Sequence, residues 1–135
     1  RPWRVGIQHP RQSGPLATLE LADGEAIGTS GDYQRYFELG GKRYPHLLDP
    51  RTGYPASHTQ AVTILIPAGP KAGTLSDAGS KPIFIAGPET WRQLARRQQI
   101  EFVLRIDQSG QIEATEKIAA RLKFTASKPA LVIVP

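Results

Sequence analysis

Apolar and polar residues alternate through the first third of the chain and again after residue 60, then shift to a helical spacing beyond residue 70. Trp3, Val5 and Ile7 alternate with polar neighbours, which predicts a half-buried strand over 3–8. Leu16, Leu19 and Leu21 predict a second strand over 16–21, and 25–30 a third. Residues 35–39 and 42–44 flank Gly40-Gly41, a two-residue hairpin signal. Val62, Ile64 and Ile66 make 60–67 the clearest strand. After a loop from Pro67 to Gly73, Leu75 to Gly87 takes helical spacing, with Thr74 or Ser76 available as N-cap. Pro82 inside that run predicts either a kink or a later start. Glu89 to Gln98 reads as a helix with Trp91, Leu94 and Ala95 on one face and arginines on the other. A hairpin over 101–106 and 111–114 turns at Ser109-Gly110, residues 115–122 carry no single period, and Ala130 to Val134 is an apolar strand. Strands, two helices, then strands predict an α+β fold with a mixed, mostly antiparallel sheet and two or three helices.

Composition narrows the class. A chain of 135 residues with 39% hydrophobic and 21% charged residues is globular, and 1–135 is expected to form a single domain. Without cysteine there is no disulfide, thiolate metal site or cysteine nucleophile. No apolar run approaches the ~20 residues of a membrane span, and none of these residues is expected to act as a signal peptide. The opening Arg1-Pro2-Trp3, without Met, suggests a fragment or a processed product. The net charge of +5 is modest. Arg92, Arg96 and Arg97 cluster on the second helix, and Tyr33, Tyr36, Phe37 and Tyr44 lie near Arg35, Lys42 and Arg43. A solvated basic face explains this better than nucleic-acid binding, and a preference for anionic substrates fits the charge equally well.

The densest chemistry is His46-Leu47-Leu48-Asp49-Pro50-Arg51-Thr52-Gly53, with Pro50 and Gly53 bracketing a turn. The two leucines read as the end of a buried strand that aims polar groups at its exit. His46 is a candidate catalytic group or ligand, whereas His9 and His58 read as exposed loop residues. Asp49 is a candidate base or metal ligand, but capping of the turn is the better reading. Arg51 either clamps a phosphate or points to water. Thr29-Ser30-Gly31-Asp32-Tyr33 is a second polar junction, an anion site or an ordinary turn. Ser76-Asp77-Ala78-Gly79-Ser80, at a helix start, suits Mg²⁺ or phosphate, or simple capping with an Asp77–Lys81 pair. No P-loop, GxGxxG, HExxH or nucleophile elbow occurs.

In order and spacing, these segments resemble a family. Trp3-Arg-Val-Gly-Ile7, Ile27-Gly-Thr-Ser-Gly-Asp-Tyr33, Gly41-Lys-Arg-Tyr44, His46 through Pro55, Ala61-Val-Thr-Ile64, and Ser76-Asp77 through Gly87 look like the C-terminal half of the ApbE family, the FAD:protein FMN transferases. The resemblance runs to about residue 105. It implies the C-terminal portion of an ApbE-like (T-fold-like) domain whose N-terminal flavin-binding half lies outside this chain. It also implies metal-dependent transfer of FMN from FAD to a Thr or Ser hydroxyl of an acceptor flavoprotein, with release of AMP. The acceptors it implies are subunits of membrane redox complexes facing the bacterial periplasm, and export or lipid anchoring would depend on a missing N-terminal segment.

The resemblance further implies His46 as the base and Leu47 in contact with flavin or nucleotide. Thr29, Ser30 and Arg51 fall with the cofactor-binding segments, and Asp77 is implied as the Mg²⁺ ligand. The family Thr four residues after that Asp is here Lys81, followed by Pro82, and Ser80 is the nearest substitute hydroxyl. A protonated Lys offers only donors and cannot ligate a metal. The expectations for Lys81 are that it supplies positive charge where Mg²⁺ would sit, that it touches phosphate, or that it marks a weaker or displaced metal site. The alternatives are a non-catalytic flavin-binding or docking module and an FAD hydrolase giving FMN and AMP. Alone, the chain is expected to hold part of a site and to be inactive.

Overall fold

The computed structural model describes residues 1–126 and 129–135. The N-terminal half is built from strands: β1 (Trp3–Gln8), β2 (Pro15–Leu21), β3 (Ala26–Gly31), β4 (Tyr36–Leu39), β5 (Lys42–Pro45), β6 (Leu48–Asp49), β7 (Tyr54–Pro55) and β8 (Thr59–Ile66). Two helices follow, α1 (Ala72–Ala86) and α2 (Trp91–Arg97), then β9 (Phe102–Asp107), β10 (Ile112–Thr115), α3 (Glu116–Ala119), β11 (Lys123–Phe124) and β12 (Leu131–Val134). The fold is the expected α+β arrangement.

Five strands form the central sheet in the order β12-β10-β9-β8-β3, antiparallel throughout except for the parallel β10–β12 pair. A three-stranded sheet, β1-β2-β11, covers one of its faces, and α1 and α2 cover the other. The central sheet therefore has a core on each side. Ala61, Leu65, Leu104 and Ile106 join Ile7 and Leu19 on the first, while Val62, Ile64 and Val103 join Phe84 and Trp91 on the second. This explains why β8 is buried along Thr59–Leu65 although its sequence alternates: a central strand hides both faces. β4–β5 and β6–β7 are separate two-stranded ribbons, and the residues flanking β6–β7, Leu47 and Ala56, pack into the helix-side core.

Three expectations need correction. Helix α1 begins at Ala72, flanked by Lys71 with no side-chain cap, so neither Thr74 nor Ser76 is the N-cap. Ser76 Oγ instead donates back to the Gly73 carbonyl, as a hydroxyl does inside a helix. Pro82 neither starts nor ends the helix, which runs on to Ala86. Leu47 and Leu48 do not end a buried strand. Leu47 is 6% exposed and Leu48 56%, because β6 is only a two-residue bridge to β7.

Candidate functional site

His46 follows β5 at the root of the β4–β5 ribbon and is exposed. Its backbone N–H and its ring Nδ1 both lie 3.0 Å from the Arg35 carbonyl oxygen. A carbonyl only accepts, so in the neutral ring Nδ1 carries the proton and Nε2 keeps its lone pair. The fold thus selects the Nδ1–H tautomer of this ring. Leu47, the next residue, packs in the helix-side core, and its carbonyl accepts the Ala56 N–H at 2.8 Å.

The rest of the octet is a turn that Asp49 organises. Its carbonyl accepts from Thr52 and Gly53 N–H, and its carboxylate accepts from the Arg51 backbone and guanidinium. Hydrogen bonds from the Arg51 side chain hold the Asp49 carboxyl below its ordinary range, and the same contact raises Arg51. Arg51 Nη2 also reaches the Ile85 carbonyl of α1 at 3.4 Å, which ties the turn to the helix.

Thr29 and Ser30 are neighbours on β3, so their side chains point to opposite faces. Ser30 Oγ meets Ser80 Oγ of α1 at 2.8 Å, while Thr29 Oγ1 meets Thr63 Oγ1 at 2.8 Å. Backbone contact is close here. A side chain on Gly28 would overlap the Ser76 carbonyl, so glycine lets β3 lie directly against α1.

Asp77 and Ser80 stand in the second and third turns of α1, not at its start, so the free N–H groups of a helix N-terminus are not theirs. Lys81 Nζ donates to Asp77 Oδ1 at 2.5 Å and to the Asp77 carbonyl at 3.0 Å. Ser80 is fully buried and donates to the Asp77 carbonyl while meeting Ser30. Magnesium needs several oxygen ligands. This donor set offers one carboxylate already held by an ammonium and one engaged hydroxyl, and it does not fit Mg²⁺. Among the described residues, no group of three or more His, Cys, Asp or Glu gathers elsewhere to hold a metal.

A groove of about 610 Å³ runs between the Asp49 turn, α1 and α2. Arg51 and Lys81 line it together, and so does Arg97. His46, Thr29 and Ser30 are not among its walls. Sequence reasoning took the α2 arginines as a solvated face and missed that Arg97 closes this groove; only the α1–α2 packing brings it there. It also passed over Asp32, which is 3% exposed. Arg11 grips its carboxylate with two hydrogen bonds of 2.7 and 2.6 Å, and Arg43 of β5 lies 3.7 Å away. These partners are distant in sequence, so no local pattern announces them.

Comparison with known proteins assigns the lineage. The ApbE family model matches residues 1–104. The chain belongs to the ApbE family. It is similar to the FAD:protein FMN transferase of Rhodobacter capsulatus, 42% identical over 91% of this chain and 23% of that protein. The FAD:protein FMN transferase of Escherichia coli K12 is 38% identical over 72% of this chain and 27% of its own length. Among solved structures, the ApbE protein of Thermotoga maritima MSB8 superposes with a TM-score of 0.77 and 36% identity, covering 89% of this chain and 38% of that one. The apo form of Pseudomonas stutzeri flavinyl transferase ApbE gives 0.67 and 35%, covering 94% of this chain and 38% of that one. This ApbE chain thus spans about a quarter of the length of these curated relatives.

Proposed function

We propose that this chain forms part of an FAD:protein FMN transferase. The observation that carries the reading is the His46 ring: Nδ1 is committed to the Arg35 carbonyl at 3.0 Å, and the exposed ring keeps Nε2 for a proton. In the proposed reaction, a Thr or Ser hydroxyl of an acceptor flavoprotein attacks the FMN-side phosphorus of FAD. His46 Nε2 takes the hydroxyl proton, the new phosphoester bond forms, the phosphoanhydride bond breaks and AMP leaves. Arg51 meets the anionic substrate as a planar donor, and Leu47, Thr29 and Ser30 brace the site. Mg²⁺, which the resemblance implies with Asp77 as ligand and for which Ser80 is the nearest substitute hydroxyl, enters no step here, because Lys81 holds the carboxylate and Ser30 the hydroxyl.

The acceptor would be a subunit of a membrane redox complex and the compartment the periplasm. No helix among the described residues is long and apolar enough to cross a membrane. Because the chain spans a fraction of its relatives, we propose that activity belongs to a longer protein and that these 135 residues alone transfer no flavin. The test incubates the longer protein, and separately this chain, with FAD and an acceptor domain. Covalent flavin is read by in-gel fluorescence and AMP by chromatography. Transfer by the longer protein supports the reading. FAD bound without covalent flavin would favour the docking module, and FMN with AMP but no adduct the hydrolase.

A further inference from the structure

The groove between the Asp49 turn and the two helices has the chemistry of an anion site with an apolar floor. Lys81, Arg51 and Arg97 line it, against the single carboxylate of Asp49, and Pro82, Ile85 and Leu94 supply apolar surface. The cations are held but not used up. The Lys81 ammonium has three donors, of which Asp77 takes two, one through its carboxylate and one through its carbonyl. The third is left for a ligand. Arg51 uses Nε and Nη2 on Asp49 and on the Ile85 carbonyl, while its Nη1 makes no hydrogen bond among the described residues. Arg97, in the last turn of α2, has neither a hydrogen-bond nor an ion-pair partner among the described residues.

We propose that this groove binds the diphosphate of a nucleoside diphosphate directly, the Lys81 ammonium acting where a divalent cation would otherwise neutralise charge, with Arg51 and Arg97 completing the site. Asp77 is then a positioning residue for Lys81 and not a metal ligand. Its side chain is 82% exposed and that of Lys81 40%, so the pair contributes little to stability by itself. It fixes a long, flexible side chain at the rim of the groove. A volume of about 610 Å³ suits a nucleotide, whose base would lie on the proline and aliphatic floor while its phosphates face the cations. The choice of a nucleoside diphosphate rests on the proposed FAD chemistry; the metal-free mode rests on the donor set alone.

The experiment measures binding of ADP to the full-length protein by titration calorimetry, in EDTA and in excess Mg²⁺. Wild type is expected to bind ADP equally well in both. Lys81→Thr and Lys81→Gln should each weaken binding in EDTA by about tenfold or more, the size of a lost charged hydrogen bond, while Lys81→Arg retains most of it. Arg97→Gln, on another helix, should weaken it in the same direction. Wild-type binding that disappears in EDTA and returns with Mg²⁺ overturns the proposal, as does a Lys81→Gln variant that binds like wild type without metal. The outcome is separable from the transferase reading. Metal-free, Lys81-dependent ADP binding without any covalent flavin transfer would leave this site standing and remove the transferase. Flavin transfer alongside strictly Mg²⁺-dependent ADP binding would do the reverse.

Discussion

A methyl group on Gly28 would strike the Ser76 carbonyl, a backbone group that cannot swing aside, whereas one on Gly73 of the same helix would meet nothing within 4 Å. Gly28→Ala is therefore expected to destabilise by about 1–3 kcal/mol, as overpacking does, and to part Ser30 from Ser80. Gly73→Ala should instead gain about 0.5–1 kcal/mol from helix propensity. Paired urea melts check both, and a neutral Gly28→Ala would refute the close approach of β3 to α1. The His46 ring makes a different prediction. Its exposed side chain bonds only Arg35 among the described residues, so His46→Ala removes a proton acceptor and little packing. Transfer should fall by about 10²–10⁴-fold, with FAD affinity nearly unchanged. Loss of FAD binding in proportion to rate would make His46 a ligand contact instead.

Within the central sheet, Arg105 of β9 is fully buried, and each of its nitrogens is answered: Nη1 by Glu113 of β10 at 2.5 Å, Nη2 by the His58 carbonyl at 2.8 Å and Nε by Thr59 Oγ1 at 3.3 Å. Arg105→Met should cost about 3 kcal/mol, because Glu113 is left without its partner in a mostly buried position. Adding Glu113→Leu should recover much of that loss, and a double-mutant cycle in urea measures the coupling. Equal losses in the single and double variants would mean that packing, not charge, is what Arg105 supplies. Nothing in the alternating pattern of β9 marks Arg105 as buried, since its partners lie 8 and 46 residues away. The longer strands were legible because period-two alternation and the Gly40-Gly41 and Ser109-Gly110 turns are local signals, whereas two-residue strands such as β7 and β11 are too short to carry a period. The start of α1 was not, since it lacks a side-chain cap, and a proline in its third turn looked like a boundary. His46 stood out by chemical density, but the tautomer that equips it depends on Arg35, eleven residues away across a ribbon. The groove was the least legible feature, because it exists only where the Asp49 turn meets two packed helices.

Across the whole molecule, the β2–β3 connection and the segment between α3 and β11 are latched by an ion pair that carries a pH signature. Arg121 donates to both Glu25 oxygens at 2.8 Å, over 96 positions of sequence, and also to the Glu20 carbonyl. The hydrogen bond from Arg121 holds the Glu25 carboxyl below its ordinary value of 4.5, against a burial effect that raises it. The unfolded chain therefore takes up a proton at Glu25 at higher pH than the folded one. The latch is fully present above about pH 4.5, and its stabilisation is lost as pH falls through the depressed folded value. Asp49, held down by Arg51, contributes in the same direction. Glu25→Gln removes the titrating group while keeping its shape, so the variant should be less stable than wild type at neutral pH. The two stability curves should converge as the pH drops below the carboxylate range. Urea denaturation across that range distinguishes the cases: parallel curves would show that Glu25 acts through packing alone. Convergence would place the acid sensitivity of the fold in a contact joining residues from opposite ends of the chain.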